Sequence, residues 1–275
     1  MRTLLPILTV VLACLLCAGC GGGARKPSGM LDKLAAGEPL RIGVKVDAPP
    51  FGFLLGGANA GFDIDIATAI AQNVGAQKIE FVPVTSASRE QALLTGMVDM
   101  VAASMTITRS REERVDFTLP YFEDGQGLLV LKDSDINSYL DLPGRKVGVV
   151  AGTTSERNLM QVAPAAKLTT YSTYDELVKA LGKGSVEAIT SDSMILLGLG
   201  KAGASGAYRL AGDPFSTEPY GIAIRENDSD FRDALNESLQ ALWESGQYSL
   251  IFRTWFGPGT RYDGKINFSM TPYSP

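Results

Sequence analysis

The sequence has no histidine, and its three cysteines all lie within the first twenty residues. The rest of the chain therefore offers neither an imidazole nor a thiol. This excludes zinc sites built on these ligands, Cys–His nucleophile pairs and histidine general bases. The chain also lacks a P-loop and a GxGxxG run after a predicted strand. These absences exclude most common kinds of catalytic site, and no cofactor is predicted.

Basic residues are outnumbered. The chain has 25 lysines and arginines against 30 aspartates and glutamates, which gives a net charge of −5. Nucleic-acid-binding proteins carry clustered positive charge, so a nucleic-acid partner is not expected.

The N-terminus has the pattern of an export signal. Arg2 precedes an almost wholly apolar stretch from Leu4 to Leu16, and small residues lead into Cys20. This apolar stretch is too short to span a bilayer, which takes about 20 residues. The segment resembles a lipoprotein signal, which predicts removal of residues 1–19 and lipidation of Cys20. The alternative is an unlipidated signal sequence. We expect an extracytoplasmic protein, lipid-anchored to the outer face of the cell membrane or periplasmic.

Strand and helix patterns alternate along the rest of the chain. The first unit has predicted strands at 40–44, 79–84 and 98–103, with helices at 63–74 and 89–95 between them. A second unit repeats this order, with strands at 146–150, 167–171, 186–190 and 220–224 and helices at 155–160 and 174–181. Two amphipathic helices, broken near Gly246, follow within 230–256. This order predicts an α/β fold with mainly parallel sheets covered by helices.

Two such units predict two lobes. Lobe 1 is assigned residues 38–131 and 219–262, and lobe 2 residues 132–218. Residues 20–37 are predicted to form a flexible tether because 21–29 is rich in glycine, and residues 263–275 a C-terminal tail. The chain would cross between the lobes near 128–132 and 215–222, and these crossings would form a hinge. A monomer is expected.

The run from Ala102 to Arg114 carries the strongest chemical signal. Ser104 and Thr106 are two apart at a predicted strand end, so their hydroxyls face the same side. Arg111, on the following turn, can place its guanidinium, a bidentate hydrogen-bond donor, over the side that carries these hydroxyls. Such an arrangement suits a small carboxylate. The alternative is a surface arginine beside a polar strand end.

Several longer segments resemble a known family. They are GFDIDIATAIA, VDMVAASMTITRSREERVDFTLPYF, KVGVVAGTTSE and VEAITSD, in that order. They are similar to the family 3 solute-binding proteins, the extracytoplasmic receptors of ABC importers for polar amino acids. IGVKVDAPPFGF and SASREQALLTGMVD look closest to the glutamate-binding branch. The resemblance implies a two-lobed periplasmic-binding-protein fold, no enzymatic activity, and ABC permease subunits as partners.

The resemblance also implies a ligand site between the lobes. Arg111 would clamp the ligand α-carboxylate, helped by Ser104 and Thr106. Asp192 would pair with the α-ammonium. The alternative for Asp192 is capping of the next helix.

Thr153 and Thr154 would donate to the ligand from the second lobe. They precede a predicted helix, whose free N–H groups also favour an anion. The alternative for both residues is simple helix capping.

Two cations predict the ligand side chain. Many amino-acid binders of the family have aromatic residues near Ala48 and Ser86, and this chain does not. Lys45 and Arg89 are instead expected to face the cleft and bind a second carboxylate. The predicted ligand is therefore glutamate or aspartate, with another polar amino acid such as glutamine as the alternative. The alternative for Lys45 is a solvated strand residue, and the alternative for Arg89 is a surface helix residue.

Phe51 and Tyr174 are weaker lining candidates, because aromatic residues at such positions commonly belong to a core. A dehydratase of prephenate or arogenate is the alternative enzyme, with Glu123, Asp124 or Glu218 as its general acid. A sensory module that reports a ligand to a signalling protein is a further alternative.

Overall fold

The computed structural model describes residues 29–202 and 206–263. The predicted leader, the lipidation site Cys20 and residues 264–275 of the predicted tail lie outside these ranges and stay predictions.

The strands are short and are numbered in chain order. They are β1 (Leu40–Val44), β2 (Asp47–Ala48), β3 (Gly52–Leu55), β4 (Ala58–Ala60), β5 (Ile79–Pro83), β6 (Met100–Ala102), β7 (Asp116–Phe117), β8 (Phe122–Asp124), β9 (Gln126–Leu131), β10 (Lys146–Val150), β11 (Lys167–Tyr171), β12 (Ala188–Asp192), β13 (Tyr208–Leu210), β14 (Glu218–Tyr220) and β15 (Ala223–Ile224).

The helices are numbered separately. They are α1 (Met30–Ala35), α2 (Phe62–Asn73), α3 (Arg89–Leu94), α4 (Arg109–Glu112), α5 (Ser155–Val162), α6 (Tyr174–Gly182), α7 (Ser193–Ala202), α8 (Ser229–Glu244) and α9 (Gln247–Phe256). A 3₁₀ turn covers Tyr139–Asp141.

Two five-stranded sheets confirm the predicted two-lobed α/β fold. The first has the order β5-β1-β6-β15-β7 and the second the order β11-β10-β12-β9-β13. In each sheet three neighbouring strands are parallel, and the remaining strands pair antiparallel. We call the parts built on the first and second sheets lobe 1 and lobe 2. The hairpin strands β2, β3 and β4 form a further small sheet.

A two-stranded antiparallel sheet, β14 with β8, connects the lobes. The second predicted crossing, 215–222, contains β14. The first predicted crossing, 128–132, is wrong because β9 already lies inside the sheet of lobe 2, so the chain crosses near Gly125. The apolar run of β9 belongs to a buried strand, and a buried strand and a crossing look alike in sequence.

The predicted tether ends earlier than residue 37. Helix α1 buries Met30 and Leu34, and the backbone N–H of Met30 donates to Asp228 Oδ2 over 2.9 Å. This segment is therefore part of lobe 1. The predicted strand 220–224 is also corrected, since it is divided between β14 and β15 at Gly221.

The C-terminal helices pack against α2 and complete lobe 1. Helix α8 buries Phe231, Leu235, Leu239 and Leu242 on one face. Each such side chain contributes about 1.5–3 kcal/mol of transfer free energy. The helices break where predicted, at Gly246, whose φ of +77° lies in the left-handed region that favours glycine.

The two lobes are in contact in this structure. At two glycines of lobe 2 the backbone approaches lobe 1 so closely that no side chain fits. A Cβ on Gly152 would lie 2.5 Å from Ala87 Cα, and one on Gly198 would lie 2.0 Å from the Pro49 carbonyl oxygen. The structure is thus a closed arrangement. Among the described residues, no helix has the length and apolarity needed to cross a bilayer.

Candidate functional site

A narrow cavity lies between the lobes, at the carboxyl ends of parallel strands from both sheets. Such strand ends and lobe interfaces are where α/β proteins commonly bind ligands. Its walls include most of the predicted site residues, namely Lys45, Arg89, Ser104, Thr106, Thr153, Thr154, Tyr174 and Asp192. Ala48 and Ser86, where the family commonly has aromatic residues, also line it.

Phe51 is an exception among the predicted lining residues. It is fully buried and its ring packs in the aromatic core of lobe 1. It makes edge-on contacts with Phe62, Phe122 and Tyr220 at 4.9 to 6.2 Å between ring centroids. It does not line the cavity, and we assign it to the core, which corrects the expectation from sequence.

Arg111 lies at the outer end of the cavity, where a wider hollow opens between the lobes. Its helix, α4, begins after Thr108, whose Oγ1 accepts the Arg111 backbone N–H over 3.3 Å. The guanidinium donates to the carbonyl oxygen of Thr106 over 2.6 Å and to that of Gly152, in lobe 2, over 3.0 Å. Burial, together with the charge of Arg89, lowers the pKa of Arg111 to about 9. The arginine stays cationic at neutral pH and bridges the two lobes.

Ser104 is held by a buried carboxylate that the sequence analysis missed. Asp63 Oδ2 accepts the Ser104 backbone N–H over 2.7 Å and its hydroxyl over 2.9 Å. Tyr121 donates its hydroxyl to Asp63 Oδ1 over 2.7 Å. These bonds fix Ser104 at a φ of +46°, a conformation uncommon outside glycine. Burial raises the pKa of Asp63 to about 6. The sequence signal that could have identified Asp63 was its position near the start of α2, after Gly61.

Thr153 and Thr154 divide the two roles considered for them. Thr153 caps: its hydroxyl donates to the Val150 carbonyl oxygen over 2.8 Å and accepts the Ser155 N–H over 3.3 Å. The hydroxyl of Thr154 instead donates to Glu218 Oε2 over 2.8 Å. Both residues still line the cavity.

Lys45 is buried in the cavity wall, with 1% of the residue exposed. Its Nζ lies 2.8 Å from Asp47 Oδ1, 3.4 Å from Ser86 Oγ and 5.1 Å from the centre of the Tyr174 ring. Burial lowers the pKa of Lys45, and the carboxylate of Asp47 opposes that shift. The prediction that Lys45 faces the cleft therefore agrees with its position, but the sequence analysis missed its counter-charge.

Arg89 is also buried and supports the loop that carries Ser104. Its Nη1 donates to the carbonyl oxygens of Ala103 and Ser104, the latter over 3.1 Å. Within the described part of the chain, its Nε has no hydrogen-bond partner. Ser88 precedes α3, and its side chain does not cap the helix; it bonds with Thr85.

Asp192 ends strand β12 on the wall of lobe 2. Tyr220 donates its hydroxyl to Asp192 Oδ2 over 2.5 Å. Burial raises the pKa of Asp192 well above the ordinary value for aspartate, and the nearby carboxylates of Glu218 and Asp124 raise it further. A ligand cation would favour the ionised form of this group. Arg111 and Asp192 thus provide a cation and an anion from opposite lobes.

Glu218 is the most extensively hydrogen-bonded carboxylate near the cavity. It accepts from Thr106, Thr154, Asn158 and Ser216 over 2.5 to 2.8 Å. It does not line the cavity. Within the described residues, no cluster of acidic residues has an arrangement suited to a metal ion.

Comparisons with known proteins place the chain in a family. Residues 40–258 match the family described as bacterial extracellular solute-binding proteins, family 3. The chain is 40% identical over 256 residues to the ABC transporter glutamine-binding protein GlnH of Bacillus subtilis (strain 168), covering 88% of this chain and 93% of that protein.

The chain is also similar to a glutamate-binding protein and to a protein of known structure. The chain is 32% identical over 249 residues to the glutamate-binding protein GluB of Corynebacterium glutamicum, covering 86% of this chain and 82% of that protein. A solved ancestral arginine-binding protein bound to glutamine is 40% identical, with a TM-score of 0.76 over 80% of this chain and 98% of that chain. The glutamate-binding branch is therefore not singled out.

Proposed function

Because the chain belongs to family 3 of the bacterial extracellular solute-binding proteins, we propose that it is the amino-acid receptor of an ABC importer. One observation carries this proposal: Arg111 of lobe 1 and Asp192 of lobe 2 both face the space between the lobes. An α-amino acid has a carboxylate and an ammonium group to match them. The ligand would thus contact both lobes.

Binding is coupled to closure in this proposal. A ligand shifts a conformational equilibrium only through its differential affinity for the two states. Here the carboxylate clamp and the ammonium partner come together only when the lobes meet. The closed, loaded protein would then be the form that the permease subunits accept.

We propose glutamine as the ligand. Asp47 neutralises Lys45 within the cavity wall. Arg89 donates to backbone carbonyl oxygens and interacts electrostatically with the buried carboxylate of Asp63. Among the described residues, the cavity wall thus has no surplus cation for a second carboxylate, whereas a neutral amide needs none. The glutamine-binding relative and the glutamine-bound ancestral protein support this choice.

Glutamate, the ligand expected from sequence, is the second candidate. Two buried cations, Lys45 and Arg89, do line the cavity, and rearrangement of Asp47 would free one of them. The glutamate-binding relative favours this reading.

Calorimetric titration of the purified protein with L-glutamine, L-glutamate, L-aspartate and L-arginine tests both assignments. We expect the tightest binding for glutamine and weaker binding for glutamate. Tightest binding of glutamate would establish the second candidate, and no response to any amino acid would overturn the receptor proposal. D-glutamine is the control, because inversion at Cα separates the α-groups from Arg111 and Asp192.

The dehydratase alternative finds little support in the site. Glu218 is occupied by four donors, and Asp124 accepts the backbone N–H groups of Gly125 and Met194 over 2.8 and 3.0 Å. Neither these two residues nor Glu123 lines the cavity. Formation of product from prephenate or arogenate would nevertheless favour the enzyme.

We also propose lipidation at Cys20 and a monomeric protein. Cys20→Ser should release the protein from the membrane fraction and abolish palmitate labelling in producing cells. Retention of both in the variant would contradict the anchor.

A further inference from the structure

Glu218 occupies the strand pair that connects the lobes. It begins β14, and only 1% of it is exposed. A buried carboxylate is costly unless hydrogen bonds replace its hydration, and it can accept about four. Four side chains donate hydrogen bonds to the Glu218 carboxylate. They come from lobe 1, from lobe 2 and from the connection between the lobes.

One oxygen receives a donor from each lobe. Oε2 accepts the hydroxyl of Thr106, which follows β6 in lobe 1, over 2.7 Å. It also accepts the hydroxyl of Thr154, at the start of α5 in lobe 2, over 2.8 Å. One residue from each wall of the cavity, Thr106 and Thr154, therefore donates to the same oxygen atom.

The other oxygen receives one donor from lobe 2 and one from the connection itself. Asn158, one turn into α5, donates its amide to Oε1 over 2.5 Å, and Ser216 donates its hydroxyl over 2.7 Å. Ser216 is two residues from Glu218 and moves with it. Asn158 belongs to lobe 2 and does not line the cavity.

Separation of the lobes would break some of the four hydrogen bonds to Glu218. Thr154 and Asn158 would leave together with α5, while Thr106 and Ser216 can remain. Hydrogen bonds to an ionised carboxylate are about twice as strong as neutral ones. The closed arrangement is thus the one in which protein groups fully replace the hydration of Glu218.

We propose that Glu218 is a positioning residue that latches the two lobes together and orients the hydroxyls of Thr106 and Thr154. The inference rests on the proposed receptor function. Both hydroxyls direct their hydrogen to Glu218, so they present lone pairs rather than donors to the cavity. Their side chains therefore accept from ligand N–H groups, which leaves the α-carboxylate to Arg111. This modifies the donor role expected for them from sequence.

A double-mutant cycle tests the latch. Glu218→Gln and Asn158→Leu are made singly and together, and L-glutamine binding is measured by calorimetry. Each single variant should weaken binding by about 10- to 100-fold, and the double variant by little more than Glu218→Gln alone. Glu123→Gln, on the partner strand β8, is the control and should bind as the wild type does. Additive losses, or an unchanged dissociation constant in Glu218→Gln, would overturn the latch.

Small-angle X-ray scattering distinguishes a latch between the lobes from a residue that only supports the fold, because it measures compaction. Saturating glutamine should compact the wild type and the Glu123→Gln variant fully, and Glu218→Gln only in part. If the wild type binds no amino acid, the receptor proposal fails on its own. Scattering of the free proteins then decides the latch. A larger radius of gyration in both Glu218→Gln and Asn158→Leu than in the wild type supports it, and equal radii overturn it.

Discussion

Lys45 Nζ lies 2.8 Å from Asp47 Oδ1 inside the cavity wall, and the other oxygen of that carboxylate accepts the backbone N–H of Tyr174 over 3.0 Å. Tyr174 belongs to lobe 2, so Asp47 both neutralises Lys45 and contacts the opposite lobe. Because the cation is already paired, its presence in the wall does not by itself select an acidic ligand.

Removal of the Asp47 charge should therefore change ligand preference. Asp47→Asn keeps an oxygen for the Tyr174 N–H but leaves Lys45 without a counter-charge. A glutamate side chain can supply that charge and glutamine cannot. We expect the ratio of glutamate to glutamine affinity to rise by about tenfold or more, measured by calorimetry with both ligands.

Asp65→Asn is the matched control, since Asp65 is bonded to the Trp255 indole N–H, away from the cavity. Its affinity ratio should equal that of the wild type. An unchanged ratio in Asp47→Asn would show that the Lys45–Asp47 pair does not govern selection.

Arg111 should tolerate no replacement, even by another cation. Its guanidinium reaches carbonyl oxygens on both lobes and keeps a rigid geometry that a lysine ammonium cannot reproduce. Arg111→Lys should weaken glutamine binding by about 100-fold or more in calorimetry. Arg114→Lys is the comparison, because Arg114 is largely exposed and pairs with Glu90 over 2.8 Å. Similar losses in both variants would argue against a specific clamp at Arg111.

Much of the fold could be predicted from the sequence because local patterns were strong. Strands β1, β10 and β11 have the bounds predicted from the sequence, and the break at Gly246 follows from its φ. The prediction failed where tertiary context decides. The run in β9 gives no sign of which lobe it joins, and α1 forms a buried helix although glycines precede it. Strands of two or three residues, such as β8, carry no periodicity at all.

The site was predictable in its main charges but not in their partners. Asp192 ends strand β12 and Arg111 lies on α4, in the run that follows β6, where a motif can identify them. The carboxylates that neutralise or orient their neighbours, Asp47 and Asp63, come from a hairpin and from the start of a helix. Their roles depend on distances across the fold, which no spacing along the chain encodes. The sequence analysis did not identify Asp47 as the partner of Lys45 and therefore favoured an acidic ligand.

Ligand affinity should fall at acidic pH because of Asp192. In the closed structure, burial raises the pKa of Asp192, and the nearby carboxylates of Glu218 and Asp124 raise it further. The ligand ammonium binds the ionised form, so below that raised pKa binding must release a proton, and affinity decreases as pH falls. We expect weaker glutamine binding at about pH 5 than at about pH 8. Calorimetry in buffers of different ionisation enthalpy should detect the released proton.

Asp192→Asn should bind weakly and lose this pH dependence. Identical affinities for the wild type at both pH values would contradict the role of Asp192 as the ammonium partner.

Gly198 should be required for closure and not for folding. It lies in α7, where alanine is a better helix former than glycine, so Gly198→Ala should not destabilise the helix itself. A Cβ at this position would lie 2.0 Å from the Pro49 carbonyl oxygen of the opposite lobe, whereas one on Gly200 would meet side chains of its own lobe, Leu129 at 3.2 Å and Tyr208 at 3.8 Å. The lobes of Gly198→Ala should therefore stop short of contact. We expect glutamine binding to weaken by about tenfold or more and ligand-induced compaction to be lost in scattering, with thermal unfolding of the free protein unchanged. Gly200→Ala should bind and compact as the wild type does, and normal compaction in Gly198→Ala would show that the functional closed state does not bring α7 against Pro49.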